Sequence, residues 1–274
     1  PSAVAPIDVG IAIEVAGATP KSFQLSRDAY TEVDLDSENS FCFLKPKKPG
    51  PMRVTFEDGK DQLCHVQLFF TEPLERLIQK RADYICRHQL VNDPKSRLYG
   101  AFVLTDTEHH ARIETEAFYS ASNGIECSLA DALYLAEKNT IYPERRQIQL
   151  LDRYIQEFLL DDVQNPSDHA VGTILTPEAG IGAFFGRPPV YPHVFNLYHA
   201  MYRVSSTYGE TAWNARAYLE HSFLTARAMD KFGWRHYVRT VGTLGYARIY
   251  DLLDDLRAEG MEQEASELLE QIRF

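Results

Sequence analysis

The spacing of apolar residues changes abruptly at Thr71-Glu72-Pro73, and this change limits the folds open to the chain. Before it, residues 7–15 alternate in places, and the runs 52–56 and 62–70 flank a Gly-containing turn, which is typical of a β-hairpin. After it, apolar residues recur at i, i+3 and i+4, and Pro73 suits a first helical turn, where its missing N–H has no partner to lose. We therefore predict an α+β protein: a β-sandwich portion over residues 1–70, then a helical domain over 71–274.

The helical domain is predicted to contain about seven helices in antiparallel pairs. Capping-box patterns place two helix starts at Ser128, with Asp131, and at Thr207, with Glu210. Residues 97–127 and the Gly/Pro-rich stretch 177–192 are predicted loops. The other predicted helices begin near Pro73, Pro143, His193, Trp234 and Met261.

Antiparallel helix pairs fit either an α/α toroid or a helix bundle. A toroid closed by six hairpins contains twelve helices, so we interpret about seven helices as part of a toroid. An open ring leaves apolar helix faces without a partner. We therefore expect a second chain, or a further segment of the same protein, to complete the toroid.

Charge and composition exclude several classes of function. The formal net charge is -11, which disfavours binding to nucleic acid or to an anionic membrane. The sequence has no apolar run of 18 residues that could span a bilayer. The 15 Tyr and 15 Phe suit either stacking on sugar rings or an aromatic core.

The four cysteines point to no zinc site, because none of them form a CxxC pair. They are expected to be reduced and buried, with a Cys42–Cys64 disulfide as an alternative. We expect no metal and no cofactor. The chain starts at Pro1 without Met, so it is expected to be processed or cut from a longer protein.

Three stretches carry a resemblance to a known group of proteins. They are residues 98–102 (LYGAF), 128–143 (SLADALYLAEKNTIYP) and 191–202 (YPHVFNLYHAMY). Together they resemble the six-hairpin glycosidase-like proteins, in particular the group called DUF5695, in which a β-sandwich precedes an α/α toroid. The resemblance implies an extracellular, secreted, carbohydrate-active protein with a polysaccharide or oligosaccharide substrate. Ahead of the second stretch that group has an acidic segment, and here only Glu126 supplies the acid.

A glycoside hydrolase is the first hypothesis, and it needs two carboxylates that face one glycosidic bond. Loop carboxylates Glu126, Asp106 and Glu108 are the catalytic candidates. Glu126 lies just before the predicted helix start, where the helix dipole would stabilise its ionised form and favour a base or nucleophile. The alternative is a solvated loop carboxylate or a part of the helix cap.

A dense polar cluster spans residues 106–112, where His109, His110 and Arg112 could bind an acidic sugar. Adjacent imidazoles diverge and no HExxH spacing is present, so a metal site is not predicted. An exposed polar loop is the alternative.

A polysaccharide lyase is the second enzyme hypothesis, with Tyr191 or His193 as the base that removes the proton α to a uronate carboxylate. Arg187, Asn196 or Arg112 would neutralise that carboxylate. Substrate contacts are also predicted for Glu178 and Trp213, although a core tryptophan and packed helix histidines are the alternatives. A non-catalytic carbohydrate-binding or assembly fragment is the third hypothesis. We predict that Glu126, the 106–112 cluster and the 177–193 loop meet in one cleft.

Overall fold

The protein is described from a computed structural model, for residues 2–14, 22–26, 33–38, 41–57, 63–109, 111–119, 122–172, 188–232 and 245–273. The predicted α+β fold class is confirmed, with strands first and helices after them. The last strand of this first part ends at Thr71 and the first helix begins at Leu74, where the apolar spacing changes. The chain forms two compact units, Pro1–Arg81 and Ala82–Phe274.

The described residues of the first unit form two sheets. One has the strand order β1-β7-β6-β3 and the other the order β2-β5-β4. The β6–β7 pair is the predicted hairpin, with Met52 opposite Leu68, while its turn lies outside the described residues. The strands are β1 (Ser2–Pro6), β2 (Ile11–Glu14), β3 (Ser22–Ser26), β4 (Val33–Glu38), β5 (Phe41–Pro46), β6 (Gly50–Glu57) and β7 (Leu63–Thr71).

A small apolar core stabilises this unit, because inward residues alternate with exposed ones along β6 and β7. Cys64 on β7 is an exposed free thiol, so the alternative of a Cys42–Cys64 disulfide is wrong. The buried core residues are Leu44, Met52, Val54, Phe56, Leu68 and Phe70.

Helices dominate the second unit. Its elements, with α1 beginning in the first unit, are α1 (Leu74–Tyr84), a π-helical turn (Ile85–Gln89), the short strands β8 (Thr105–Asp106) and β9 (Ala111–Arg112), α2 (Glu116–Tyr119), α3 (Ser122–Ile141), α4 (Arg145–Arg153), a π-helix (Tyr154–Val163), α5 (Val190–Tyr208), α6 (Ala215–Phe232), a 3-10 turn (Tyr246–Arg248), α7 (Ile249–Ala258) and α8 (Glu262–Arg273). None of the described helices is both long enough and apolar enough to cross a bilayer.

Helix α5 lies at the centre of the second unit and packs against both α3 and α6. Its residues from Val190 to Tyr202 are buried almost without interruption. A helix that is apolar on all sides belongs in the interior, and polar residues on it are then held away from water. His193, Asn196 and His199 are such residues.

The predicted helix start at Ser128 is wrong, because α3 begins at Ser122. Gly124 lies in the helix, where a Cβ atom would be 2.5 Å from the carbonyl oxygen of Phe118. Asp131 is not a cap either, since its buried carboxylate accepts a hydrogen bond from Gln89 Nε2 at 2.6 Å. Tertiary packing, rather than local capping, therefore decides where α3 begins.

The predicted start at Thr207 is wrong for a similar reason. Helix α5 continues through Thr207 to Tyr208 and ends at Gly209, which adopts a left-handed conformation with φ 66°. The next helix is capped by Asn214, whose Oδ1 accepts a hydrogen bond from the Ala217 N–H at 2.9 Å. Glu210 lies in the loop between them and pairs with Arg145 at 3.2 Å.

The stretch 97–127, predicted as a loop, contains more order than its composition indicates. An isolated bridge joins Leu90 to Phe102, and β8 pairs with β9 as a short hairpin. Tyr119 on α2 accepts a hydrogen bond from the Leu104 N–H at 2.8 Å, which anchors the base of this hairpin. The predicted loop 177–192 and the first part of the predicted helix from Trp234 fall mostly outside the described residues.

Candidate functional site

Glu126 and His193, two of the predicted site residues, meet where α3 packs on α5. Their side chains approach to 3.8 Å between Glu126 Oε1 and His193 Nε2. The imidazole is almost completely buried, whereas the carboxylate retains 28% of its side-chain exposure. The carboxylate therefore contacts solvent and the imidazole at once.

Burial lowers the pKa of His193, because desolvation disfavours the imidazolium ion. The Glu126 carboxylate acts in the opposite direction and raises the same pKa, but less strongly. The imidazole is therefore neutral near pH 7 and can accept a proton. A nearby carboxylate would then stabilise the cation that forms.

Asn196 follows His193 by three residues on α5, so the two side chains lie on neighbouring positions of one helix face. Its Nδ2 donates a hydrogen bond to the Gly245 carbonyl oxygen at 3.1 Å. Its Oδ1 is buried and has no hydrogen-bond partner among the described residues. Buried amide oxygens are usually hydrogen-bonded, so this one is suited to a donor supplied by a ligand.

Gly245 brings a second chain segment to this face of α5. It has φ 79°, and a Cβ atom there would lie 3.3 Å from Asn196 Nδ2. The following Tyr246 packs edge-on against Phe195, with 6.5 Å between ring centroids. Asn196 and Gly245 were not recognised as a pair from the sequence, since 49 residues separate them and the only signal was the glycine itself.

Asp106, Glu108 and His109 lie in the exposed β8–β9 hairpin. Asp106 Oδ1 accepts the backbone N–H groups of Glu108 and His109, and its Oδ2 lies 2.6 Å from His109 Nδ1. The aspartate therefore shapes the turn of the hairpin. His110 lies outside the described residues.

Arg112 is held at the base of the same hairpin. Its Nη1 donates to the Leu90 carbonyl oxygen at 2.9 Å, and its Nε lies 2.6 Å from Glu114 Oε1. A guanidinium with these two partners still has N–H groups left for a ligand. A catalytic or binding role for this hairpin stays a prediction.

Tyr191 and Trp213 pack within the second unit. The hydroxyl of Tyr191 accepts a hydrogen bond from the Val171 N–H at 3.2 Å, and burial raises the pKa of this tyrosine. Trp213 lies in the loop before α6, not early in a helix, and stacks on His221 with 4.8 Å between ring centroids. The stacking of Trp213 matches the alternative of a core tryptophan. Glu178 and Arg187 lie outside the described residues.

His199 belongs to a different cluster from His193. Its Nε2 lies 2.7 Å from Asp255 Oδ2 on α7, and Arg203 lies 3.5 Å from the same oxygen. The hydrogen bond from His199 lowers the pKa of Asp255, so the ionised carboxylate is held in a hydrogen-bonded contact between α5 and α7. The site that the described residues form is therefore Glu126, His193 and Asn196.

Comparison with known proteins supports the resemblance in part. Residues 183–274 match the family described as Family of unknown function (DUF5695). Among solved structures, "Polysaccharide Lyase BACCELL_00875" aligns with a TM-score of 0.73 and 19% identity, over 98% of this chain and 38% of its own. The fold resembles that of a carbohydrate-active protein. No curated protein matches the chain.

The two matches differ in what they cover. The family match takes in α5, α6, α7 and α8, and it includes His193 and Asn196 but not Glu126. The structural match takes in both units, while the chain spans only 38% of the length of that lyase. A six-hairpin glycosidase is not specifically supported, and the likeness to a lyase is one of fold.

Proposed function

We propose that the chain is part of a polysaccharide lyase that acts on a uronate-containing polysaccharide. The observation that carries the proposal is the buried His193 imidazole beside the partly exposed Glu126 carboxylate. The named activity of the structure with the similar fold supports the same reaction class.

The reaction assigned to this site is a β-elimination. The neutral His193 imidazole takes the proton from the sugar carbon next to the carboxylate through its unprotonated ring nitrogen, and the C–H electrons pass into the carboxylate group. They then form a carbon–carbon double bond as the bond to the glycosidic oxygen breaks, and that oxygen leaves with a proton from an acid or from water. Glu126 stabilises the imidazolium that forms, which makes it a positioning residue.

Asn196 would contribute to binding of the sugar. Its Oδ1, which has no hydrogen-bond partner among the described residues, can accept a hydrogen bond from a sugar hydroxyl, and the Nδ2–Gly245 bond fixes the amide orientation. Arg112, at the base of the hairpin, remains a candidate for neutralising the uronate carboxylate, as the sequence predicts.

The glycoside hydrolase hypothesis gains less support from the described residues. A hydrolase needs a second carboxylate about 5 to 10 Å across the bond from the first. Glu126 faces an imidazole instead, and Asp106 is engaged in shaping the exposed hairpin. A second carboxylate supplied from outside the described residues would restore this hypothesis.

Product analysis tests the proposal. The purified chain would be incubated with a panel of acidic and neutral polysaccharides, and both ultraviolet absorbance and reducing ends would be followed. A lyase yields an unsaturated uronate that absorbs in the ultraviolet, and His193→Gln should abolish it. Reducing ends without this absorbance would indicate a hydrolase, and binding without turnover a non-catalytic fragment.

Location and assembly belong to the same proposal. A polysaccharide too large to enter a cell has to be cleaved outside it, so we propose an extracellular or secreted protein. We also propose that a second chain or a further segment completes the helical ring. Light scattering of the purified chain, which measures its mass in solution, tests for self-association.

A further inference from the structure

A small polar groove lies between α4 and the chain that follows the first π-helical turn. Its volume is about 270 Å³, at the low end for ligand pockets. Leu90 and Leu150 are its buried apolar members, and Cys86 and Asn92 belong to the side opposite α4. The remaining lining residues are Arg146, Gln149 and Arg153.

Helix periodicity explains why two arginines line the same groove. Arg146, Gln149, Leu150 and Arg153 follow the spacing i, i+3, i+4, i+7, so they lie along one stripe of α4. Arg145, which directly precedes Arg146, lies outside the stripe that lines the groove and pairs with Glu210 at 3.2 Å.

Charges of both signs surround the groove, with the two arginines in its lining and carboxylates farther from it. Glu157 approaches Arg153 only to 3.9 Å, a weak pair, and Arg146 has no ion pair with a described residue. The two carboxylates whose charges reach Cys86 are already engaged, Glu144 with Gln147 at 2.6 Å and Asp83 with Arg87 at 3.4 Å. Buried Lys138 adds a further positive charge near the same thiol.

We propose that this groove binds the carboxylate of an acidic sugar, with Arg146 and Arg153 as the charged contacts. Guanidinium groups bind carboxylates through paired N–H donors, and Gln149 and Asn92 add amide groups that suit sugar hydroxyls. The apolar floor of Leu90 and Leu150 suits the C–H face of a sugar ring. The volume fits about one sugar unit, so the groove would hold one residue of a longer chain.

The groove is separate from the Glu126–His193 site. Lys138, whose charge reaches Cys86, lies twelve residues beyond Glu126 on α3, or about 18 Å along the helix axis. A second binding point for an acidic polymer would raise the affinity by holding the polymer in place. The choice of a sugar acid rests on the proposed function, whereas the groove itself does not.

Protection of Cys86 from alkylation gives a readout that is independent of turnover. The experiment uses a His193→Gln variant of the chain, a small neutral alkylating agent and mass spectrometry to follow each cysteine. Desolvation by burial raises the pKa of Cys86 to about 11, so its alkylation is slow, and an anion bound beside it would slow it further. Exposed Cys64, in the first unit, serves as the internal reference.

A uronate trisaccharide should slow alkylation at Cys86 severalfold and leave Cys64 unaffected, while a neutral glucose trisaccharide at the same concentration should not. Arg146→Gln with Arg153→Gln should weaken this protection at least tenfold in apparent affinity. Arg145→Gln, which removes one positive charge from α4 outside the groove, should retain it. Added salt should weaken it as well, since the contact is partly ionic.

The proposal would be overturned if the uronate trisaccharide gave no protection or if the neutral trisaccharide gave equal protection. Protection that survives the double substitution, in a protein with an unchanged melting temperature, would overturn it too. Protection by sodium sulfate alone, with none by the trisaccharide, would also overturn it, because the groove would then bind a free inorganic anion. Loss of lyase activity leaves this readout unchanged, so the two proposals fail separately.

Discussion

His193 Nε2 lies 3.8 Å from Glu126 Oε1, across the contact between α5 and α3. Sixty-seven residues separate the two along the chain, so the packing of the two helices, and no local motif, brings them together. At 3.8 Å the pair is longer than a normal hydrogen bond, and a small shift of either side chain would close it. A base that must accept and release a proton benefits from such a partner.

The pH dependence of activity should reveal this pair. Burial lowers the pKa of His193 below 6.5, so activity should rise with pH through a value below 6.5 as the imidazole loses its proton. In Glu126→Gln the carboxylate that raises this pKa is gone, so the acid limb of the rate profile should move to lower pH. The maximal rate should also fall by about a hundredfold, since the imidazolium loses its stabilising charge.

The control for this test is Asp106→Asn, in the exposed hairpin. If Glu126 acts only through the fold, both substitutions should leave the position of the acid limb unchanged. An acid limb that stays in place in Glu126→Gln, with the protein folded, would therefore contradict the assigned role.

Close packing of α3 against the residues before it gives a second prediction. Gly124→Ala should lower the free energy of unfolding by about 1–3 kcal/mol, because the new methyl group would meet the Phe118 carbonyl oxygen at 2.5 Å. An exposed helical glycine would behave in the opposite way, since alanine favours helix by about 1 kcal/mol. Urea unfolding measures the difference.

Ala130→Gly, at an exposed position of the same helix, is the comparison. It should cost about 1 kcal/mol through helix propensity alone. A stabilised Gly124→Ala protein would show that α3 begins later, as the capping-box pattern at Ser128 predicts.

Buried histidines away from the site give a third prediction. His169 and His221 lie with ring centroids 5.3 Å apart, and the Nδ1 atom of each has no partner among the described residues. Burial lowers the pKa of His169 to about 4 and also lowers that of His221. His221 and Arg227 contribute to the lowered pKa of His169, while Asp168 and Glu220 oppose these shifts for His169 and His221, respectively.

Acid should therefore destabilise the protein. Both folded-state pKa values lie below the unfolded value of about 6.5, so the unfolded chain binds more protons, and stability is lost as the pH falls from about 6.5 toward 4. His169→Asn removes one such group, and asparagine tolerates the φ of 60° at this position. The stability difference between pH 7.5 and pH 4.5 should shrink by about 1–3 kcal/mol in this variant, as followed by urea unfolding. An unchanged difference would mean that His169 is not buried as a neutral imidazole.

How far the sequence predicts the fold depends on whether a signal is local. The switch at Thr71–Pro73 and the β6–β7 hairpin are local patterns, and the structure contains both. The contacts Gly124–Phe118 and Asp131–Gln89 are tertiary, and they override a capping box whose residue types fit equally well. Residue types alone therefore mark candidates for helix starts without choosing among them.

The candidate site shows the same limit. Glu126, His193 and Asn196 were each predicted from residue type and position near loops, yet nothing in the sequence places α3 beside α5. Nothing in the sequence pairs Gly245 with Asn196, whereas in the structure the Gly245 carbonyl oxygen accepts a hydrogen bond from Asn196 Nδ2 at 3.1 Å. Pairings of this kind require the fold, because they join segments that are distant along the chain.

The last prediction concerns the start of α6. The capping-box pattern predicts that start at Thr207, whereas the structure shows the cap at Asn214. Asn214→Ala should lower the free energy of unfolding by about 1 kcal/mol, because the Ala217 N–H at the start of α6 loses its side-chain acceptor. Thr207→Ala should change it by only a few tenths of a kcal/mol, since Thr207 is an exposed residue within α5 and alanine favours the helix. Asn214→Asp, which keeps an acceptor oxygen at the same place and adds a favourable charge at the helix start, should restore the stability. Urea unfolding of the three variants measures these changes, and a larger loss for Thr207→Ala than for Asn214→Ala would show that α6 begins at the capping box after all.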